Sequence, residues 1–344
     1  MRFDDVRVQA VAHVLPEETV TSEELEERLG PVYDRLRLRI GRLELMTGIR
    51  ERRFWPPGTR PSDVAARAGA LALERSGLER ERIGCLIHAA VCRDFMEPAT
   101  ASVVHRLLEL PPACMAFDLS NACLGVTNAM IVIARMIEHG DIEAGLVVAG
   151  EDGRGLVEET IRNALADPNL TREDFKGAFA SLTIGSGAAA IALSRADDER
   201  GRRLTGGAVL ADTAHYELCL GDRDEGLAGP LMTTDSEALL QAGNALASRT
   251  FERFREELGW ERESIDRIVT HQVGSAHRRL LFETLQIDPA IDFPTVETLG
   301  NIGSVSLPLS LSMALDADFI RPGQRVAMLA IGSGLHCLML GLEW

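Results

Sequence analysis

A cysteine at position 123 lies where a short strand pattern changes to a helical one. Residues 116–119 predict a strand, and from Leu124 onward apolar residues recur with a helical period. A thiol just before a helix faces free backbone N–H groups and the positive end of the helix dipole, which favour thiolate over thiol. Cys123 is therefore a candidate nucleophile. The alternative is a small buried cysteine at the start of a core helix, since free cysteine is among the most buried residue types.

Two further residues that can do chemistry follow strand patterns later in the chain. His271 directly follows the β-branched run 265–270. Asn301 lies in the loop 300–303, which begins and ends with glycine and precedes another helical pattern. Alone, such a histidine is more often structural, and such an asparagine usually serves a turn. A Cys, a His and an Asn at three strand-to-helix junctions can converge at one sheet edge, where open α/β folds place their chemistry. The three together predict an active site.

These segments resemble the thiolase superfamily and, within it, the ketoacyl synthase III branch, and the resemblance runs through nearly the whole chain. Further matching segments are 47–52 (TGIRER), 185–190 (GSGAAA) and 331–335 (IGSGL). The resemblance implies an α/β fold with the duplicated α-β-α-β-α layers of thiolases, and a catalytic triad of Cys123, His271 and Asn301. It also implies that the backbone N–H groups of Cys123 and Ser333 bind the thioester oxygen as negative charge develops there.

An internal repeat supports a duplicated fold independently. Residues 78–83 are echoed at 260–265, an offset of 182 positions, and residues 146–150 are echoed at 328–332 with the same offset. Two distant segments that share one offset indicate two copies of one α/β unit. The two expected halves are residues 1–195, with the nucleophile, and residues 196–344, with the histidine and the asparagine.

The chemistry that the resemblance implies is condensation of thioesters. Cys123 would hold an acyl group covalently, which divides one difficult step into two easier ones. His271 and Asn301 would bind the carbonyl oxygen of a second thioester, whose enolate attacks the acyl-enzyme. That enolate can form by decarboxylation of a malonyl donor, which needs no strong base, or by removal of an α-proton, which does.

Glu97 is the candidate base. In ketoacyl synthases III the matching segment crosses the dimer interface, and the residue at this position is typically apolar. The pattern Arg-Asp-aromatic-x-Glu-Pro at 93–98 instead resembles the condensing enzymes of long-chain olefin biosynthesis, which join two fatty acyl-CoA molecules head to head into a β-keto acid. A carboxylate partly desolvated beside a partner's acyl site is a better base near neutral pH. The alternative is a surface carboxylate before a proline turn.

We therefore expect an acyltransferase that performs a Claisen condensation of two fatty acyl-CoA thioesters. No cofactor is expected beyond the coenzyme A of the substrates, and no metal ion. The alternative is a 3-oxoacyl synthase III that condenses an acyl-CoA with a malonyl group on acyl carrier protein by decarboxylation. A homodimer is expected in either case, because most oligomers of this kind have twofold symmetry.

Two other classes of protein fit the sequence less well. A degradative or biosynthetic thiolase needs a second catalytic cysteine near the C-terminal glycine turn, and Cys337 instead alternates into a buried strand pattern. A partner subunit without activity usually lacks the nucleophile, whereas Cys123, His271 and Asn301 are all present.

Composition narrows the compartment and the partners. The net charge of −16 argues against general nucleic-acid binding. The six cysteines are scattered without metal-ligand spacing, so a reducing cytoplasm is the expected setting. The first residues do not form a signal-peptide pattern, and no apolar run is expected to approach the roughly 18 residues that span a bilayer.

Arginines dominate the stretch 35–53 and could contact phosphates, since guanidinium groups donate paired hydrogen bonds. The alternative is an amphipathic helix with a solvated basic face. The Trp and Arg that usually hold coenzyme A in ketoacyl synthases III correspond here to Arg42 and Met46, so that clamp does not carry over. Trp55 is a possible substitute stacking surface. The seven arginines are Arg35, Arg37, Arg39, Arg42, Arg50, Arg52 and Arg53.

Overall fold

A computed structural model describes residues 1–196, 202–221 and 232–344. The strands are β1 (Val6–Val14), β2 (Glu18–Thr21), β3 (Glu51–Phe54), β4 (Ile83–His88), β5 (Met115–Asp118), β6 (Ala144–Glu151), β7 (Gly187–Arg195), β8 (Arg202–Ala211), β9 (Cys219–Gly221), β10 (Met232–Thr234), β11 (Arg267–Thr270), β12 (Arg325–Gly332) and β13 (His336–Glu343). The helices are α1 (Ser22–Arg28), α2 (Gly30–Leu36), α3 (Arg42–Thr47), α4 (Pro61–Ser76), α5 (Thr100–Leu107), α6 (Gly125–His139), α7 (Arg154–Ala166), α8 (Arg172–Ala178), α9 (Ser236–Leu258), α10 (Ser275–Leu285), α11 (Val296–Leu299) and α12 (Ser306–Asp316).

Nine strands form one sheet, in the order β11-β12-β13-β8-β1-β7-β6-β4-β5. Its centre is the β1–β8 junction, where only Arg7 and Val8 pair with the facing strand. Outward from this junction, strand pairing follows the same order on both sides. On one side β1–β7 and β7–β6 are antiparallel and β6–β4 is parallel. On the other side β8–β13 and β13–β12 are antiparallel and β12–β11 is parallel. The echo of 146–150 at 328–332 falls on the equivalent strands β6 and β12, and the echo of 78–83 at 260–265 falls on the segments that lead into β4 and β11, which confirms the duplication. The division between residues 195 and 196 stays a prediction.

Helices form three layers around the two halves of the sheet. Helix α4 packs on β1, β7 and β6, while α9 packs on β8 and β13, so each half has its own outer helix. Helices α6 and α12 share a single core cluster with apolar residues of both halves, such as Ile191 and Met328. They therefore form a middle layer, and the predicted α-β-α-β-α arrangement is confirmed.

The segment before and within α6 forms as its apolar pattern predicts. The strand expected at 116–119 is β5, one residue earlier, and α6 begins one residue after Leu124. Apolar residues at helical spacing, including Met130, Ile133 and Ile137, are fully buried in the middle layer. Gly140 ends the helix with a left-handed φ of 80°, a conformation that glycine adopts without steric cost.

One expectation about apolar segments is wrong. Residues Ala122–His139 are long and apolar enough, by composition, to cross a bilayer. Half of this stretch is buried, and α6 within it packs in the middle layer of the fold. We interpret the segment as a core helix, because packing on β1, β6 and β7, within the core cluster that also contains α12, accounts for its hydropathy.

Candidate active site

Cys123 lies on a tight turn between β5 and α6. The turn is closed by the Leu124 N–H, which donates to the Asn121 carbonyl at 2.9 Å, and Ala122 has a left-handed φ of 44°. Such a φ is uncommon for a residue with a side chain and often marks a functional turn. The Asn121 side chain is held by Asn128 of α6 at 2.6 Å. The turn therefore fixes Cys123 just ahead of the first turn of the helix.

The glycine turn after β12 lies directly against Cys123. A side-chain carbon added at Gly332 would fall 3.3 Å from the backbone nitrogen of Cys123 and 3.4 Å from its Cβ, and it would overlap Leu124. Glycine at position 332 therefore allows the two segments to approach closely without displacing Leu124 or Cys123. Ser333, whose hydroxyl donates to the sulfur of Cys219 at 3.3 Å, follows on the same turn. The structure thus brings together Cys123 and Ser333, two of the predicted site residues.

His271 and Asn301 are held by backbone contacts of their own segments. The backbone N–H of His271 donates to the carbonyl of Leu329 at 2.8 Å, which places His271 beside β12. Leu329 precedes Gly332 by three residues on that strand. Asn301 pairs with the backbone of Thr183 and Gly185, and its side-chain oxygen accepts from the Gly303 N–H at 3.0 Å. His271 follows β11 and precedes α10, as its sequence pattern predicts, whereas the strand expected before Asn301 is wrong, because Asn301 lies between α11 and α12 and makes only an isolated bridge with Ile184. Their catalytic roles stay predictions.

Burial reverses the expected acidity of the Cys123 thiol. Desolvation raises the pKa of Cys123 to about 12, and the negative charge of Glu151 is the next largest cause. The expectation that the helix end favours the thiolate is therefore wrong. The reason is that desolvation and the nearby Glu151 carboxylate both oppose the charged form, and these two effects exceed that of free N–H groups. The thiol is therefore protonated at neutral pH.

His271 is neutral in this site. Burial lowers the pKa of His271 to about 4, and the proximity of His277 contributes in the same direction. Its Nδ1 atom is buried without a hydrogen-bond partner among the described residues. A neutral imidazole can donate one N–H bond to an oxygen atom, which is the property that enolate binding requires.

Glu97 lies at the protein surface, between the exposed residues Met96 and Pro98. The carboxylate that acts on Cys123 within the same chain is Glu151 and not Glu97. The structure therefore does not bring Glu97 to the nucleophile of its own chain. A role for Glu97 in catalysis requires the site of a second copy.

Comparison with known proteins places this site in a family. Two models of 3-oxoacyl-[acyl-carrier-protein] synthase III match the chain, one over residues 117–212 and the C-terminal one over residues 256–344. The acyl-CoA:acyl-CoA alkyltransferase of Shewanella oneidensis is 40% identical, and that of Xanthomonas campestris is 38% identical, each over the full length of both chains. The chain belongs to the acyl-CoA:acyl-CoA alkyltransferase family.

A solved structure of this family has the same fold. A cysteine-to-serine variant of Xanthomonas campestris OleA with bound lauric acid and lauroyl-CoA superposes with a TM-score of 0.95. The match covers 99% of this chain and 100% of that chain, at 38% identity. The layered fold is therefore that of the alkyltransferase family, as the sequence resemblance implies.

Two further residues lie near Cys123 that no local sequence pattern predicts as part of the site. Glu151 ends β6 and is 4% exposed, and Cys219 lies next to Ser333. The internal repeat indicates a place for Glu151 near the site, because the offset of 182 pairs Glu151 with the predicted site residue Ser333. No comparable sequence signal marks Cys219, which joins the site only through the fold.

The expected contacts with coenzyme A need correction. The stretch 35–53 is not one amphipathic helix, since α2 ends at Leu36, a turn follows, and α3 begins at Arg42. Arg52 is fully buried, and its guanidinium donates to the Ser22 hydroxyl and the Leu182 carbonyl, so it is a structural residue. Trp55 is buried and donates its indole N–H to the Glu151 carbonyl at 3.0 Å. It is therefore not a free stacking surface.

Cys337 does not lie in the site. It packs in the outer core layer beneath α9, and burial raises the pKa of its thiol to about 12. A thiolase-type second cysteine has to share the pocket of the nucleophile, and the middle layer that contains α6 is a separate cluster. The sequence interpretation of Cys337 as a core residue is confirmed.

We expect acid to weaken this fold partly through His271. The folded-state pKa of His271 is below the ordinary value of 6.5, so the unfolded chain binds its proton first as the pH falls. The stabilisation is complete above pH 6.5 and is lost progressively towards pH 4, with about 2 kcal/mol gone at pH 5. Urea unfolding at pH 7 and pH 5 measures this, and His271→Gln should reduce the difference. An equal difference in wild type and variant would assign it to other buried histidines, such as His88.

Proposed function

We propose that this protein is an acyltransferase that joins two fatty acyl-CoA molecules by Claisen condensation through an acyl-enzyme on Cys123. The observation that carries the proposal is the close approach of Gly332 to the backbone nitrogen and the Cβ of Cys123, because it sets the turn that bears Ser333 beside the nucleophile, where backbone N–H groups can stabilise a thioester oxygen that becomes negative. The full-length similarity to acyl-CoA:acyl-CoA alkyltransferases favours acyl-CoA as both donor and acceptor.

The first half-reaction loads the enzyme. The Cys123 sulfur attacks the thioester carbonyl, a new carbon–sulfur bond forms, and the bond to coenzyme A breaks. Because the resting thiol is protonated, its proton leaves with the departing coenzyme A thiolate, which becomes a free thiol. Backbone N–H groups of Cys123 and Ser333 would stabilise the oxyanion between these two events.

The second half-reaction forms the carbon–carbon bond. Glu97 of the partner subunit removes an α-proton from a second acyl-CoA, and His271 and Asn301 donate hydrogen bonds to the resulting enolate oxygen. The enolate carbon attacks the acyl-enzyme, the bond to Cys123 breaks, and a β-ketoacyl-CoA forms. The expelled Cys123 thiolate takes up a proton, and Glu97 releases the α-proton, which restores the resting enzyme. Hydrolysis of that thioester by water releases coenzyme A and gives a β-keto acid.

The competing function is a decarboxylating 3-oxoacyl synthase III, which the matching family models keep open. Mass spectrometry of the products separates the two functions. We expect a β-keto product from long-chain acyl-CoA alone, without a malonyl donor. Product formation only when a malonyl thioester is added would establish the competing function, and a requirement for malonyl-acyl carrier protein over malonyl-CoA would identify acyl carrier protein as the partner.

We further propose that the active form is a homodimer in a reducing cytoplasm, where six free thiols stay reduced. Strand β5 is the last strand at one end of the described sheet, and its Met115 is 54% exposed. The Glu97 segment presents more apolar surface, since Met96 is 93% exposed and Phe95 is also exposed. An open sheet edge beside exposed apolar side chains favours pairing with a second copy.

Mixing two inactive variants tests the cross-subunit site. In a heterodimer of Cys123→Ala and Glu97→Gln, one site keeps both Cys123 and the partner's Glu97, and the other site has neither. Subunit exchange should therefore restore about a quarter of wild-type condensation, since half of the dimers are mixed and half of their sites are intact. Absence of any recovery in demonstrably mixed dimers, or an active monomer in sedimentation analysis, would refute a shared site.

A further inference from the structure

Glu151 is a buried carboxylate at the carboxyl end of β6 with an unusually full set of partners. Its Oε1 accepts from the Ser304 hydroxyl at 2.8 Å, the Ser304 N–H at 3.2 Å and the Val91 N–H at 2.9 Å. Its Oε2 accepts from the Cys92 N–H at 3.0 Å. Four bonds fill the acceptor capacity of one carboxylate. They come from two segments that are more than 200 residues apart.

Each of these segments bears a residue of the proposed reaction. Val91 and Cys92 begin the segment that carries Glu97. Ser304 lies three residues after Asn301, and Gly303 between them has a left-handed φ of 53°. A side-chain carbon at Gly303 would fall 3.0 Å from the Glu151 Oε1 atom, so the loop is closely apposed to the carboxylate. Glu151 therefore contacts both loops at their anchoring ends.

The Glu97 segment has a second anchor that limits its movement further. The Asp94 carboxylate accepts from the N–H and the hydroxyl of Ser62, at 3.0 Å and 2.6 Å, at the start of α4. The Asp94 N–H in turn donates to the Thr100 hydroxyl at 3.1 Å. Glu97 thus lies on a short loop that is held at Val91 and Cys92 by Glu151 and at Asp94 by Ser62 of α4.

We propose that Glu151 is a positioning residue that holds the Asn301 loop at the site of its own chain and the Glu97 segment in the position from which it reaches the site of the partner subunit. This role rests on the proposed function, because it matters for catalysis only if Glu97 and Asn301 act in the condensation. In the dimer, one Glu151 carboxylate would then affect two sites. It would position Asn301 in the site of its own chain and Glu97 for the site of the partner subunit.

The charge of Glu151 gives this role a second, independent readout. The groups that face it are His88 of β4, Cys92, Asp152 and Cys123, while Cys219 faces Cys123 from β9. Its negative charge raises the pKa of both Cys92 and Cys123. Glutamine has nearly the same shape but no charge, and its NH2 group cannot accept from an N–H. Glu151→Gln should therefore make Cys123 more reactive while disturbing the two loops.

The test measures alkylation and condensation in the full-length dimer. Alkylation of Cys123 by iodoacetamide is followed at fixed pH by peptide mass spectrometry, which separates it from the other five cysteines. In Glu151→Gln we expect about tenfold faster alkylation, the change in thiolate fraction that accompanies loss of a nearby charge. Condensation of acyl-CoA should fall by about 10²-fold, as expected for small displacements of catalytic groups.

Two further variants separate positioning from general stability. Ser304→Ala removes one bond to Glu151 and keeps the charge, so condensation should fall roughly three- to tenfold with alkylation unchanged. Glu26 is the matched control, because it is also a fully buried carboxylate and accepts from Tyr33 and from the backbone of Gly41 and Leu43. Glu26→Gln should lower thermal stability without changing alkylation of Cys123 or condensation.

The possible failures are distinguishable. Wild-type condensation in Glu151→Gln refutes the positioning role, and so does slower condensation without faster alkylation, which would indicate general loosening. If the glutamine variant does not fold, Ser304→Ala decides, and unchanged condensation there refutes the role. If wild-type protein makes no β-keto product from acyl-CoA alone, the proposed function fails. The alkylation comparison then still shows whether Glu151 acts on Cys123.

Discussion

Cys123→Ala should abolish acyl-enzyme formation and reduce condensation by about 10⁴–10⁶-fold, the range seen when a nucleophile is removed. The reason is that no other thiol shares the turn that faces Gly332 in the described structure. The substitution removes a single sulfur atom from a pocket already lined by backbone, so the free energy of unfolding should change by no more than about 1 kcal/mol. Intact-protein mass spectrometry after incubation with acyl-CoA detects the added acyl mass directly.

The serine variant is the informative companion. Cys123→Ser keeps a hydroxyl in place of the thiol, but an alcohol is far less acidic, and the same burial and the same Glu151 charge oppose its ionisation. We therefore expect it to be badly impaired in acylation while it still binds acyl-CoA. An acyl adduct that persists in Cys123→Ala would place the nucleophile elsewhere, with Cys92 and Cys219 as the cysteines to examine.

Local sequence patterns predict the framework of the site well, because short-range periodicity determines it. The strand before Cys123, helix α6 and strand β11 before His271 all lie within two residues of their predicted starts. The duplication is also visible in the sequence, since equivalent strands keep similar apolar patterns at one offset. These features depend on neighbours along the chain, which the sequence displays.

Properties that depend on distant contacts could not be read in the same way. The thiol of Cys123 was expected to be acidic from its place before a helix, yet its pKa is set by burial and by Glu151, which is 28 positions away. Arg52 looked like a phosphate ligand among other arginines, yet it lies inside the protein with carbonyl and hydroxyl acceptors. In both cases the residue type is visible in the sequence, whereas packing between distant segments determines the environment of its side chain.

The second large effect is expected at Glu97. Glu97→Gln should still load Cys123 with an acyl group, because acylation needs the thiol and the backbone donors but no carboxylate at position 97. Condensation of two acyl-CoA molecules should stall by about 10²–10⁴-fold, the usual contribution of a general base. The two half-reactions are measured separately, by acyl-enzyme mass and by release of β-keto product.

Because Glu97 lies at the surface, loss of condensation with retained acylation in Glu97→Gln is a demanding test of a site shared between subunits. An exposed carboxylate on a single chain has no reason to affect chemistry in a buried pocket, so a loss confined to condensation requires a second subunit that covers it. A decarboxylating enzyme would respond differently, since a malonyl donor supplies the carbanion and the glutamine variant would keep near-normal turnover. Met96→Ala is the matched control on the same segment, because it removes exposed apolar surface and leaves the carboxylate in place. If Met96→Ala weakens the dimer and slows condensation as much as Glu97→Gln does, the segment contributes contact area and not a base.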